Sequence, residues 1–504
     1  MFKLSLSLML FASLAVAADN PETLVERSQT RARAVIDNAV EAIGGAEALR
    51  SIETVSLRLD GETWTRLQMP TAEPPFESGT FHENLTFDLK NNRLRLEQRA
   101  NGNGFEGDNT VILAGGEGTN YDLRARTITP IPAAQAQQQQ FIQYYRRLPN
   151  LILRQALDRA NSLRYLGSED FEGRKHDVVT FAMPDAQQVA LYIDAKTGLV
   201  SKYELILTDP LTGEDTSEIL FGDYATSGKL KVPQSWTWRV AGDVQARYKV
   251  SVDFNRPLTD QTFQFDGASG FQKVSAAPNN LPANVEKLAD GVYVIQNVAG
   301  QNQNTLAVEL REYIVAVEAP GTSGGADEVI KRIKEAIPGK PIRYVAITHH
   351  HGDHIGGLRS FIAEGATVVT TRGNRRVVEL MAAAPQNDRL ARSPRKPELL
   401  FLENGRRSFT DGNQTVELID VGPNPHAKEM VIAYLPKQRI VFQGDLFIVP
   451  NNDGPIGPPQ PTTVSFVQKL KELNLPVDRI AGVHGRTATF AEFTAATEGS
   501  AAGK

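Results

Sequence analysis

The sequence predicts a two-domain protein with both α+β and α/β character, in which a curved antiparallel β-sheet with helices precedes two sheets with helices outside them. Two observations lead to this prediction. In the first half, runs of alternating apolar and polar residues are separated by Asn-Gly and Lys-Thr-Gly turn signals, a pattern typical of hairpins. In the second half, strand-like apolar runs alternate with helical segments that have one apolar side, which favours sheets covered by helices.

The composition is that of an ordinary folded protein. The 504 residues carry a formal net charge of -5, 22% of them are charged, and no basic cluster indicates binding to nucleic acid. At this length two or three domains are expected. The chain contains no cysteine, so any metal ion must be bound by His, Asp or Glu.

Residues 1–18 have the three parts of a secretory signal peptide. Lys3 precedes an apolar stretch, and the small residues Ala15-Val16-Ala17 form a cleavage signal. We therefore expect a cleaved protein that is exported to a bacterial periplasm or secreted. The alternative is an uncleaved membrane anchor, against which the small-residue cleavage signal argues. No later stretch approaches the roughly 20 apolar residues of a transmembrane helix.

Residues 19–275 are predicted to form the first domain. Apolar residues recur at helical spacing from Pro21 to about Gly45, which indicates a long amphipathic helix. Strand-like runs follow, and a second helical pattern spans residues 141–160. His82 and His176 lie here without an acidic or histidine companion at ligand spacing, and we interpret both as ordinary surface or packing residues.

Three phrases of this region, "AIGGAEALRSIETVSLRLDG", "YIDAKTGLV" and "GKLKVPQSWT", are similar to phrases in the LolA-like periplasmic lipoprotein carriers. The resemblance covers roughly residues 22–270 and implies an open sheet with an apolar groove for an acyl chain or a peptide. A purely structural or docking role is the alternative. The Pro-containing stretch at residues 276–284 has the composition of a linker.

Residues 285–492 are predicted to form the second domain, with strands and helices in alternation, and residues 493–504 a small, polar and disordered tail. The predicted strands are 291–296, 305–310, 313–318, 344–347, 367–370, 415–421, 430–435, 439–442 and 479–483, and the predicted helices are 326–337, 374–384 and 464–473.

One stretch of this domain points to chemistry. In Thr348-His-His-His-Gly-Asp-His-Ile-Gly-Gly357, four of the eight histidines of the chain fall within six positions. Imidazole nitrogens and a carboxylate oxygen are ligands that Zn²⁺ prefers, and the stretch lies between an apolar strand and a helix start. The alternative is a polar turn whose histidines only form hydrogen bonds.

With this motif the second domain resembles the metallo-β-lactamase superfamily, whose αβ/βα sandwich binds one or two metals at strand-end loops. The histidine and aspartate positions of the motif match the family residue for residue, and three further family positions match a His, an Asp and a His that each follow a predicted strand. The metal ligands implied by the resemblance are His349, His351 and His426 for one ion, Asp353, His354 and His484 for the other, and Asp445 between them.

The resemblance implies a binuclear hydrolase, with two Zn²⁺ ions or alternatively Fe or Mn. A hydroxide held between the ions would attack an ester-like bond of a small molecule: a thioester, lactone or phosphoester. Asp353 and His354 are the predicted catalytic residues, and Asp353 would both bind metal and orient the hydroxide. Glu318 stands where the family usually has Asp and is expected to support the centre from outside the ligand set.

Three alternatives remain from the sequence. The chain could be a periplasmic carrier of a lipid or peptide with an incidental metal domain, a β-lactamase, or an iron-dependent oxidoreductase of the same fold. Asp445 argues against β-lactams as the substrate, because family members that cleave β-lactams typically have a non-bridging residue at this position. His351, where the di-iron oxygen-reducing branch of the family has Glu, argues against that branch. His350 is interpreted as a spacer, and Lys428 and the loop 449–461 are candidates for specificity.

Overall fold

The computed structural model describes residues 22–185, 187–276, 282–298 and 302–498. The predicted signal peptide and most of the predicted linker, residues 277–281, lie outside the described residues. Among the helices that are described, none is long and apolar enough to cross a membrane.

Helices occur in both halves of the described chain. In chain order, the α-helices are α1 Leu24–Ile43, α2 Ala46–Arg50, α3 Ala133–Tyr145, α4 Pro149–Asp158, α5 Ser323–Ala336, α6 Gly352–Ile355, α7 Leu358–Glu364, α8 Arg375–Ala383, α9 Arg389–Arg392, α10 Pro461–Leu473 and α11 Phe490–Glu498. Short 3₁₀ turns lie at Ala160–Ser162, Asp260–Phe263, Asp266–Ala268 and Arg372–Asn374.

A 14-stranded sheet forms the amino-terminal region. All but one of its strand pairs are antiparallel, as the hairpin pattern predicts, and the exception is the short pair of Gln272–Lys273 with Thr127–Ile131. Its strands are β1 Thr54–Thr63, β2 Gly79–Asp88, β3 Arg93–Gly102, β4 Phe105–Ala114, β5 Glu117–Asp122, β6 Thr127–Ile131, β7 Arg164–Phe171, β8 Arg174–Ala182, β9 Gln188–Asp194, β10 Val200–Asp209, β11 Gly213–Gly222, β14 Ser235–Val240, β15 Asp243–Phe254 and β16 Gln272–Lys273, while β12 Ala225–Ser227 and β13 Leu230–Val232 form a separate pair.

Helix α1 covers the apolar side of this sheet. It begins at Thr23, whose side chain forms a capping box with Glu26, and it ends at Gly44, where φ is 129°. Its apolar face, including Val35, Ile36 and Ile43, is buried in one cluster with α4 and with side chains of the long sheet. The apolar side of the sheet is therefore occupied by the protein's own helices.

The carboxy-terminal region contains two sheets that pack against each other. The seven-stranded sheet is built from β17 Asn284–Ala289, β18 Val292–Gln296, β19 Thr305–Glu309, β20 Ile314–Val317, β21 Ile342–Ala346, β22 Thr367–Thr370 and β23 Leu399–Phe401, and the six-stranded sheet from β24 Arg406–Thr410, β25 Thr415–Asp420, β26 Val431–Leu435, β27 Ile440–Gln443, β28 Arg479–Gly482 and β29 Ala488–Thr489. Side chains from both sheets, such as Val317 and Phe442, share one buried core between them.

Helices cover the outer faces of this pair of sheets. Helices α5, α7 and α8 bury their apolar sides in a second core on the seven-stranded sheet. Helices α10 and α11 contribute Phe466 and Phe493 to a third core on the six-stranded sheet. The order helix, sheet, sheet, helix is the αβ/βα sandwich expected from the sequence.

The end of the described chain differs from the prediction. Residues 493–504 were expected to be disordered because they are small and polar, but α11 continues to Glu498. Phe493 anchors it, since its side chain is buried and packs edge-on against Phe447 with ring centroids 4.9 Å apart. Burial of this aromatic side chain therefore stabilises the helix, although the residues that follow it are small and polar.

Candidate metal centre

The structure brings all seven predicted ligands together at one edge of the sandwich. Each ligand follows the end of a strand: the histidine motif follows β21, and His426, Asp445 and His484 follow β25, β27 and β28. Two groups of donor atoms result, each with its atoms within 4.8 Å of one another, and both groups include Asp445. The groups are His349, His351, His426 and Asp445, and Asp353, His354, Asp445 and His484.

Asp445 lies between the two groups with one carboxylate oxygen on each side. Its Oδ2 atom is 3.2 Å from Nε2 of His426, and its Oδ1 atom is 3.1 Å from Nε2 of His354. His484 Nε2 lies 3.4 Å from the same Oδ1 atom. This arrangement is what a carboxylate shared by two metal ions requires.

Every imidazole of the centre has its outer nitrogen next to a protein oxygen. A ring held in this way has a fixed orientation and turns its other nitrogen towards the centre. The outer contacts are His349 Nδ1 to Thr348 Oγ1 at 3.0 Å, His351 Nε2 to Met69 O at 2.9 Å, His354 Nδ1 to Glu318 Oε2 at 2.8 Å, His426 Nδ1 to Asn103 O at 2.8 Å and His484 Nδ1 to Asn302 O at 3.1 Å.

The inner atoms of the centre are buried, and several have no hydrogen-bond partner among the described residues. These atoms are Nδ1 of His351, Nε2 of His354 and Oδ1 of Asp445. The last two lie 3.1 Å apart, but not in the alignment of a hydrogen bond. Buried polar atoms without partners are costly, and bound cations would satisfy all three. The donor set therefore fits a metal pair.

The electrostatics of the centre favour cation binding. Burial holds the pKa of His349 well below its ordinary value, so this ring is neutral and keeps a free lone pair. Burial alone would also lower the pKa of His354, but the carboxylates of Asp445, Glu318 and Asp353 raise it well above its usual range. Three carboxylates thus surround this ring. A divalent cation can balance their negative charge in place of the proton on His354.

Glu318 supports the centre from behind, as the sequence predicted. Its Oε2 atom accepts a hydrogen bond from His354 Nδ1, and its Oε1 atom accepts one from the backbone N–H of Thr348. The residue is fully buried and has a φ of 80°, a left-handed conformation that is rare for Glu. The backbone of Glu318 is therefore strained, and its carboxylate is held by two hydrogen bonds in a position that orients the histidine motif.

Sequence reasoning missed a contribution from the amino-terminal region. The 67–70 segment, between β1 and β2, lies directly on the histidine motif. Gln68 Nε2 donates to Asp353 Oδ1 at 2.8 Å, and the Met69 carbonyl accepts hydrogen bonds from both His350 and His351 at 2.9 Å. Further backbone contacts join Gly352 N to Leu67 O at 2.9 Å and Lys428 N to Pro70 O at 2.7 Å.

The turn between β3 and β4 makes a second contribution. The Asn103 carbonyl accepts the hydrogen bond of His426, and the Asn103 side chain donates to the Gln68 carbonyl. The residue after this histidine is the buried Ala427, which has no polar side chain to support the ring. The outer contact of His426 is therefore made by the other half of the molecule.

The remaining candidates of the sequence analysis lie around the centre. His350 is buried and donates to Met69 O, and burial lowers the pKa of its ring to about 4, so it is neutral. Lys428 pairs with Glu77 at 3.2 Å. In the loop 449–461, Asn452 and Asp453 form hydrogen bonds with Ser275 rather than with the centre.

Comparisons with known proteins agree with this geometry. Residues 320–484 match the family model described as the metallo-beta-lactamase superfamily. All seven ligands lie within that stretch. No match to the chain is found among curated proteins.

Solved metallo-beta-lactamases resemble part of the chain. The enzyme from Pontibacter korlensis is 19% identical, with 42% of this chain and 96% of that chain covered at a TM-score of 0.34. FIM-1 from Pseudomonas aeruginosa, in its mono-zinc form, is 20% identical, with 44% and 96% covered at a TM-score of 0.33. From the matched family model and the observed sandwich of sheets, we conclude that the carboxy-terminal domain has the metallo-beta-lactamase fold.

Proposed function

We propose that this protein is a binuclear metal-dependent hydrolase that cleaves an ester-like bond in a small molecule. The observation that supports this most strongly is the pair of donor groups joined by Asp445. The rings of the centre are held from outside, and three buried inner atoms have no hydrogen-bond partner among the described residues. Bound cations would satisfy these atoms, whereas a site that only forms hydrogen bonds would leave them unpaired.

The residues of the centre have distinct roles in this proposal. When bound, a pair of divalent cations would make a shared water acidic and polarise the bond to be cleaved. Asp445 sets the separation of the two donor groups, because one of its oxygens faces each. Asp353, fixed at Oδ1 by Gln68, turns Oδ2 inwards, where it can bind a cation and orient the attacking water.

The substrate class follows from the same residues. Asp445 at the shared position favours thioesters, lactones or phosphoesters over β-lactams, by the resemblance to the family. We further propose that the ions are Zn²⁺, because imidazole and carboxylate donors without thiolates suit this ion, and that the protein is exported, because residues 1–18 have the pattern of a signal peptide. The carrier alternative has less support, because helices α1 and α4 occupy the apolar side of the sheet.

A hydrolysis screen with purified full-length protein tests the proposal. Thioesters, lactones, phosphodiesters, sulfate esters and β-lactams are offered to the wild type, to His349→Ala and to the matched control His82→Ala. His82 is exposed and lies beside Asp60 in the amino-terminal sheet. We expect activity on at least one ester-like class that disappears in His349→Ala and persists in His82→Ala. Equal activity in all three proteins, or cleavage of β-lactams alone, contradicts the proposal.

A further inference from the structure

A cavity of about 330 Å³ lies between the amino-terminal sheet and the carboxy-terminal domain. The turn between β5 and β6 and strand β6 form one wall, and the loop after β27 and the end of α11 form the other. Residues of both halves line it, among them Phe105, Ala125, Thr129, Phe447, Ile456 and Ala496. The cavity therefore depends on the combination of the two halves.

The cavity adjoins the metal centre at two points. Phe105 lines it and packs edge-on against the ring of His426, with ring centroids 5.2 Å apart. Asn302 also lines it, and its carbonyl oxygen lies 3.1 Å from Nδ1 of His484. Two residues that line the cavity, Phe105 and Asn302, thus each contact a histidine of one donor group. A molecule bound in the cavity is separated from the donor groups by these two residues.

The lining of the cavity carries little charge. Asp122 is the one ionisable residue among the described residues that line it, and its Oδ1 atom already accepts the backbone N–H groups of Arg124 and Ala125. The side chain of Gln460 is likewise engaged, because its Oε1 atom accepts the N–H of Glu106 at 2.9 Å. Within the described lining there is no cationic side chain to pair with a carboxylate or phosphate group.

Apolar surface in the cavity is open to a ligand. Ile448 lines it and is 39% exposed, unlike the buried Phe447 and Val449 on either side of it. Burying such a side chain against an apolar group of a ligand is favourable, because it removes apolar surface from water. Four prolines of the same loop also line the wall, which limits the backbone N–H groups available to a charged ligand.

We infer that this cavity binds an uncharged part of the substrate, such as an alkyl chain or an aromatic ring, that extends from the bond that is cleaved. The inference rests on the proposed hydrolase function and adds the substrate class to it. A volume of 330 Å³ accommodates on the order of ten non-hydrogen atoms, if each takes about the 30 Å³ of a water molecule. A cavity of this kind is typical of small-molecule sites.

Binding of a neutral fluorescent probe, N-phenyl-1-naphthylamine, to the full chain tests the inference without hydrolysis. Two variants fill the cavity from opposite walls, Ala125→Trp and Ala496→Trp, and Ala225→Trp places the same side chain on an exposed strand that does not line it. We expect saturable binding to the wild type and to Ala225→Trp, with Kd raised about tenfold or more in both cavity variants. Circular dichroism and the unfolding midpoint verify that each variant is folded.

Failure of this inference is distinguishable from failure of the hydrolase proposal. Absence of saturable probe binding to the wild type, or unchanged Kd in two folded cavity variants, overturns the assignment of the cavity even if esters are cleaved. If ester hydrolysis is found, kcat/KM for a neutral acyl series is expected to rise with chain length up to about ten carbons in the wild type and to stay flat in Ala125→Trp. The same rise in both proteins also overturns the inference.

Discussion

Asp353 is in contact with side chains from both halves of the molecule. Its Oδ1 atom accepts a hydrogen bond from Gln68, and its Oδ2 atom lies 3.2 Å from Nε2 of His484. Burial alone would raise the pKa of this carboxyl group, but His354 and His484 hold it well below its usual range. Asp353 is therefore a carboxylate with one oxygen fixed and the other directed at the centre.

Replacing Gln68 tests this role. In Gln68→Ala the Oδ1 atom of Asp353 loses its donor, and the carboxylate can rotate away from the centre. We expect kcat/KM and the affinity for the more weakly held ion to fall by about 10-fold to 100-fold, the range found for residues that orient metal ligands. Gln234→Ala, at an exposed position, is the control. Wild-type kinetics and metal affinity in Gln68→Ala would show that Asp353 needs no support.

At the scale of elements, the β3–β4 turn is shaped to reach the metal centre. Gly104 has a φ of 74°, and a Cβ atom there would lie 2.9 Å from Cβ of Pro425 and 3.1 Å from the backbone nitrogen of His426. The neighbouring Asn103 supplies the carbonyl that orients His426. Glycine is therefore needed at this position for two reasons, the positive φ and the close approach.

Two glycine variants separate these reasons. Gly116 also has a positive φ, of 82°, but no atom lies within 4 Å of a Cβ added there. Gly104→Ala and Gly116→Ala should share a conformational cost of about 1 kcal/mol in the free energy of unfolding. Only Gly104→Ala is expected to lower metal affinity and catalysis as well, because the added carbon displaces the backbone of His426. Metal titrations that agree between the two variants would contradict this explanation.

A second element-scale prediction concerns the helices beneath the histidine motif. Asp388 caps α9 and pairs with Arg359 of α7 at 2.5 Å. Burial alone would raise the pKa of Asp388, but hydrogen bonds from Arg359, the N–H of Ala391 and Ser323 lower it to about 2. A lowered folded-state pKa stabilises the protein above the unfolded-state value near 3.8, and this stabilisation is lost as the pH falls towards 2.

The difference in unfolding free energy between wild type and Asp388→Asn measures this effect. We expect about 1 to 2 kcal/mol near neutral pH, after allowance for solvent screening, and a decrease between about pH 4 and pH 2. Denaturant titrations over this range give the curve. The exposed Asp253→Asn variant controls for the loss of a surface carboxylate. A difference that stays constant from neutral pH down to pH 2 would contradict the assignment.

At the scale of the whole molecule, the sequence was sufficient to predict which side chains come together at the centre but not what surrounds them. His349, His351, Asp353 and His354 share a short motif, and the other three were identified through the resemblance to the metallo-β-lactamase superfamily. Gln68 and Asn103 belong to turns of ordinary composition, and Gln68 is 285 positions from Asp353 in the chain. A local sequence pattern cannot predict a contact between residues so far apart in the chain, because the contact depends on how the two halves pack.

The same limit applies to the cavity and to the end of the chain. Ala125 and Ala496 line one cavity from opposite walls, although they are far apart in sequence and neither belongs to a motif. Residues 493–498 have a small and polar composition, but packing of Phe493 against Phe447 extends the last helix. Tertiary packing decides both features, and composition alone does not predict them.

The metal content of the full chain is the sharpest test of a binuclear centre. Protein purified without added metal and analysed by mass spectrometry is expected to contain about two divalent cations per chain, as the two donor groups predict. Asp445→Ala should lose most of both ions, because its carboxylate serves both groups, and His82→Ala should keep them. A fully active wild-type protein without metal, or an unchanged metal content in Asp445→Ala, would refute the binuclear centre.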